Sequence, residues 1–75
     1  MSVEHLVKMA NDIGDFFRAE PERADAVAGI ANHIQRFWDP RMRRAIITYV
    51  KEGGDGLSEL AHAAVTTLKP PAASN

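Results

Sequence analysis

The segment Arg36-Phe37-Trp38-Asp39-Pro40-Arg41-Met42-Arg43-Arg44 gathers four arginines, two aromatics and a helix-breaking Asp-Pro pair into nine residues. Guanidinium groups pair with carboxylates in a two-pronged planar geometry, and Arg and Trp are enriched among the residues that carry protein–protein affinity. The chemistry on offer is therefore recognition. Arg36, Trp38, Asp39, Arg41, Arg43, Arg44 and an apolar neighbour, Ile47, are the candidate partner-binding residues. Helical spacing places Arg41, Arg43, Arg44 and Ile47 on the outer face of their helix, and Phe37 with part of Trp38 in a packed corner.

Catalytic chemistry finds no comparable cluster. His5, His33 and His62 fall on three different expected helices, and none has a second His at metal-ligand spacing. Zinc and similar metals leave tighter spacing signatures, so no metal is expected. Ser2, Ser58 and Ser74 lack the strand-turn-helix setting of a nucleophile elbow. Gly53-Gly54-Asp55-Gly56 superficially suggests a phosphate loop, but no Lys-Ser or Lys-Thr follows it, which makes it a helix–helix turn. Neither a catalytic residue nor a cofactor-binding residue is expected in this chain.

Four amphipathic helices must position these groups. The first is capped by Ser2, carries Val3, Leu6, Val7, Ala10, Ile13 and Phe17 at helical spacing, and is expected to end near Ala19, before Pro21. Met9 and Phe16 widen its stripe enough to touch two neighbours, which adds both to the candidate binding residues. The second helix is expected to open at Pro21 and to face inward through Val27, Ile30, Ala31, Ile34, Phe37 and Trp38. Gly29 falls on the opposite side of the helix and reads as a tolerated surface glycine costing about 1 kcal/mol against alanine, the alternative being close backbone approach by a partner.

Asp39 caps the third helix, Pro40 occupies its first position, and Met42, Ala45, Ile46, Tyr49 and Val50 form its inner face up to Gly53-Gly54. Asp55 or Gly56 is expected to start the fourth, which runs through Leu57, Leu60, Ala61, Ala64, Val65 and Leu68 to Pro70. No segment alternates with the period of a strand. The expected fold is an all-α, compact, single-domain four-helix arrangement with short connections, over residues 1–69, with 70–75 as a disordered tail.

Size and composition narrow the function. A domain of 75 residues extracts only about 3–5 kcal/mol from its core and usually leans on disulfides, a metal or a partner chain. Cysteine is absent, which excludes disulfides and thiolate-held zinc or iron–sulfur clusters and leaves a partner chain. The net charge of −1 gives no general pull toward nucleic acid. Neither a signal peptide nor a membrane span is expected, which points to the cytoplasm. The alternative reading is a helix-turn-helix DNA binder that meets phosphates through Arg41, Arg43 and Arg44. The charge, the proline at the helix start and the short corner turn all oppose it.

The run Leu6-Val7-Lys8-Met9-Ala10-Asn11-Asp12-Ile13, followed by Phe16-Phe17, resembles the opening of the delta subunit of soluble NAD-dependent formate dehydrogenases. The intact segment Arg36 to Arg43 is similar to that family's Arg-Phe-Trp-Asp-Pro-Arg-Met-Arg mark. Gly53-Gly54, Gly56-Leu57 and Leu60 resemble its glycine turn and last helix, so the likeness runs from Val3 to Leu68. The resemblance implies a noncatalytic accessory subunit. Its partners would be the large catalytic subunit of the formate dehydrogenase and the associated subunits, which hold the molybdenum or tungsten pterin, the iron–sulfur clusters and the flavin. It would bind and stabilise that complex, or help assemble it. In isolation, the Met9 and Phe16 stripe suits a homodimer.

Overall fold

A computed structural model describes residues 2–71. Among them are four helices and no strand: α1 (Val3–Phe17), α2 (Arg23–Phe37), α3 (Pro40–Lys51) and α4 (Glu59–Thr67). The all-α, four-helix expectation holds. Of the expected disordered tail over 70–75, Pro70 and Pro71 are described, without regular secondary structure, and 72–75 lie outside the described residues.

Ser2 caps α1 as expected, its hydroxyl accepting from the His5 N–H at 3.2 Å. The helix ends at Phe17, two residues before the expected Ala19, because the chain turns at once: the Glu20 N–H donates to the Phe17 carbonyl at 3.0 Å. Pro21 belongs to this turn and not to α2. The first carbonyl that α2 uses is that of Glu22, which accepts from Asp25 and Ala26 at 3.1 Å each, so the helix opens at Arg23. Proline here stiffens the connection.

The core joins Leu6 and Ala10 of α1, Ile30 and Ile34 of α2, Trp38 at the corner, Ile46 and Ile47 of α3, and Ala61, Ala64 and Val65 of α4. α2 packs on both α1 and α4, while α3 packs on α1 and α4 and has little contact with α2, its neighbour in sequence. Contact with two helices rotates and widens the buried face of α3. Ile47 is thus buried beside Ile46, and not outward as the spacing suggested.

The reading of Gly29 as a surface glycine is also corrected. A methyl group there would sit 2.4 Å from the Phe17 ring, so the absence of a side chain is what lets that ring lie against α2.

The fourth helix starts at Glu59, not at Asp55 or Gly56. Three glycines with positive φ (Gly53, Gly54 and Gly56) keep the intervening segment out of helical geometry. Gly54 is the most constrained: at φ +65° it donates to the Tyr49 carbonyl at 2.9 Å, and its α-carbon lies against the His62 ring. Asn11 of α1 then seats the next helix. Its Nδ2 donates to the Gly56 carbonyl at 2.9 Å, and its Oδ1 accepts from the Ser58 N–H at 2.8 Å. Ser58 in turn caps α4 by accepting from Ala61 at 3.3 Å.

Two substitutions test this packing. Asn11→Ala strands the partly buried Ser58 N–H and should lower stability by about 1–3 kcal/mol. Gly29→Ala overpacks the Phe17 contact at about 1–3 kcal/mol, offset by about 1 kcal/mol of helix preference, for a net loss of up to about 2 kcal/mol. Urea midpoints at unchanged slope would register both. An unchanged midpoint would contradict the Asn11 hydrogen bonds in the first case, and a gain of about 1 kcal/mol, the full helix preference for alanine, would contradict the close approach of the Phe17 ring in the second.

Candidate partner-binding surface

The corner between α2 and α3 is built by its own residues. The Trp38 N–H closes α2 on the Ile34 carbonyl at 3.0 Å, and the chain then leaves helical geometry at φ −87°, ψ 140°. Asp39 restarts the helix as an N-cap: its carboxylate accepts from the Met42 N–H at 3.0 Å, and Pro40 takes the first turn. Turning at Trp38 drives the indole into the core, where it is 4 % exposed. The apolar stripe of α2 ends on one core position and the larger ring occupies it. Phe37, expected in the packed corner, is instead 69 % exposed. It lies against His33, with ring centroids 4.7 Å apart, and beneath the Arg36 guanidinium at 5.8 Å.

Arg43 does not point outward as its spacing suggested. It folds back over the corner, with Nη1 donating to the Trp38 carbonyl at 2.6 Å and, at 3.4 Å, toward the Gln35 carbonyl. Carbonyls at a helix C-terminus lack intrahelical partners and carry the negative end of the dipole, so a guanidinium there is well placed. The Nε of Arg43 is buried with no hydrogen-bond partner. Arg43 is thus a corner brace, and Arg41 and Arg44 are the arginines of α3 that face solvent.

Those two, together with the braced Arg43, line an open groove of about 1020 Å³. One wall is the outer face of α2, with Asn32 and Gln35; another is the start of α3; the third is the segment from Thr67 to Pro71. Lys69 on that segment brings a third solvent-facing cation that spacing within the corner could not reveal. The ion pairs among the described residues are Lys8–Asp12, Asp15–Arg18 and Arg23–Glu59, none of which involves Arg41, Arg44 or Lys69. The Arg23–Glu59 pair ties the start of α2 to the start of α4, and its hydrogen bond holds the Glu59 carboxyl below its ordinary range. Both partners are exposed, so the pair sets orientation more than stability.

The other predicted residues divide. Asp39 is exposed on the groove wall and Arg36 is exposed outside the lining, whereas Trp38 and Ile47 are buried and offer almost no side-chain surface. Met9 is half-buried against the core, and Phe16 stands 79 % exposed near the end of α1. Neither Met9 nor Phe16 lines the groove, so the structure does not bring the first-helix stripe and the arginine corner together. Two of the histidines have packing roles, His33 on Phe37 and His62 on Gly54. Among the described residues no group of three His, Asp or Glu is placed to hold a metal, and no helix is long and apolar enough to cross a membrane.

The inversion of Phe37 and Trp38 is directly measurable. Trp38→Ala should cost about 3–5 kcal/mol, as removal of a buried large aromatic does. Phe37→Ala should move stability by less than about 0.5 kcal/mol, as exposed positions do. Equal losses in thermal denaturation would contradict the placement of the two rings.

No curated protein and no solved structure matches this chain. A family model does, that of the NADH-dependent formate dehydrogenase delta subunit, FdsD, over residues 5–65. The match takes in most of α1, the corner with its arginines, the glycine turn and most of α4. The chain is a member of the formate dehydrogenase delta subunit family.

Proposed function

We propose that this chain is a noncatalytic accessory subunit that binds a soluble NAD-dependent formate dehydrogenase in the cytoplasm and stabilises or helps assemble it. Family membership over residues 5–65 carries the reading. Its chemistry agrees: with no cysteine in 75 residues, the chain supplies no thiolate to a cluster, and its distinctive groups are cations and an aromatic on the surface. The partner is the large catalytic subunit, in contact with the other subunits of the complex.

The docking surface is the corner as folded. Arg36, Arg41 and Arg44 are exposed and can pair with carboxylates of the partner, while Phe37 gives an aromatic contact where Trp38 does not. Asp39 and Arg43 hold the corner rigid, so that little conformational freedom is lost on binding. Phe16, on a separate surface, is the apolar contact open to self-association in the free chain. The DNA-binding alternative is weakened, because Arg43 braces the corner and leaves α3 with two solvent-facing arginines.

The test is co-purification with tagged catalytic subunit from cells making the whole complex. The R41E/R44E double variant should lose roughly tenfold or more of its recovery, as reversal of interface charges does. Its melting temperature should stay close to the parent's, because neither side chain holds the fold. Undiminished recovery would remove the corner as the docking surface, and recovery of no dehydrogenase by the parent chain would remove the reading itself.

A further inference from the structure

Resting on that reading, we infer that the groove between α2, the start of α3 and the Thr67–Pro71 segment receives an extended acidic stretch of the partner enzyme's polypeptide. The groove's volume, about 1020 Å³, lies at the top of the range for small-molecule pockets, and it is open along one side. That shape suits a chain laid along it better than a compact ligand enclosed by it.

Charge selects the occupant. Arg41, Arg44 and Lys69 reach the groove from two segments distant in sequence, and no carboxylate of the described residues pairs with them. The one acid on the walls, Asp39, is engaged with the Met42 N–H as the helix cap. Arg43, the fourth cation on the lining, is turned onto the Trp38 carbonyl, which leaves Arg41, Arg44 and Lys69 to pair with an acidic segment and to disfavour a basic one.

The walls also suit a peptide main chain. Asn32 and Gln35 stand about one turn apart on α2, and each side-chain amide carries both a donor and an acceptor. The opposite wall contains Pro70 and Pro71, which have no backbone N–H and present a stiff apolar surface to the stems of bound side chains. Single-stranded nucleic acid would need an aromatic stacking platform, and the groove has none: Trp38 is buried and Phe37 lies outside the lining.

The probe is the acetylated, amidated hexapeptide Glu-Leu-Asp-Glu-Leu-Asp, compared with its Gln/Asn counterpart, inorganic phosphate and a short duplex DNA. Each is titrated into the isotope-labelled full-length chain and followed by backbone amide shifts. The acidic peptide should shift Asn32, Gln35, Thr67 and Leu68 saturably, with Kd below about 1 mM at low salt. The neutral peptide should bind roughly tenfold more weakly or not at all, and binding of the acidic one should fall steeply with added salt. K69E should weaken the acidic peptide about fivefold or more at unchanged melting temperature, since Lys69 joins the α3 arginines only through the folded groove.

Equal binding of the neutral peptide, shifts confined to other faces, or preferential binding of phosphate or duplex DNA would each overturn the assignment. Co-purification of K69E with the dehydrogenase, measured in parallel, separates the two readings. If the acidic peptide fails while R41E/R44E still releases the enzyme, the accessory role stands and the groove is not its seat. If the parent chain recovers no dehydrogenase, the accessory role fails, whatever the peptide does.

Discussion

The placement of one indole governs the rest of the molecule. Trp38 closes the apolar stripe of α2 and leaves helical geometry in the same residue, so the chain must turn where the core receives its largest side chain. Asp39 and Pro40 restart the helix at once, and Arg43 returns to clasp the Trp38 carbonyl. The direction of α3 is then no longer free: it crosses to α1 and α4 and moves away from α2. The outer face of α2 is left uncovered, and the segment after α4 closes the other side of the groove. Corner, core and groove are consequences of one turn.

The opposite end of α3 shows the same economy. Lys51 and the glycines end the helix, but glycines alone do not say where the next one begins. Asn11 supplies that information from 45 and 47 residues away, by donating to Gly56 and accepting from Ser58. A single amide thereby fixes the glycine turn to α1 and presents Ser58 as a cap. Side-chain amides suit this task because they satisfy a donor and an acceptor together, in a place where an unpaired backbone group would be costly.

These arrangements explain what was legible in the sequence. The helix count and the inner residues Leu6, Ile30, Ile34, Ile46, Ala61 and Val65 follow from local periodicity, and Asp39 as a cap follows from its neighbour Pro40. Local periodicity misleads where a distant element decides. Gly29 looks exposed on a helical wheel until the Phe17 ring is laid on it from α1. Ile47 and Arg43 lie at the margin of the stripe of α3, and their fates depend on that helix meeting two neighbours and on carbonyls left open at the end of α2. Phe37 and Trp38 are adjacent, and periodicity cannot say which ring takes the last core position. Lys69 joins the surface only because the chain folds Thr67–Pro71 back alongside the arginines.

Thin stability and an unneutralised surface point the same way. Ordinary domains hold about 0.05–0.15 kcal/mol per residue, so a chain of 75 residues sits at roughly 4–11 kcal/mol. Among the described residues the largest fully buried side chains are Leu6, Ile30, Ile34, Ile46 and Val65, which suits the lower part of that range. A partner at a hundredfold its Kd adds about 2.7 kcal/mol by mass action, a large fraction of such a total. The same contact would pair Arg41, Arg44 and Lys69, which have no carboxylate partner among the described residues. The corner that organises this core is also what holds two of those charges in place.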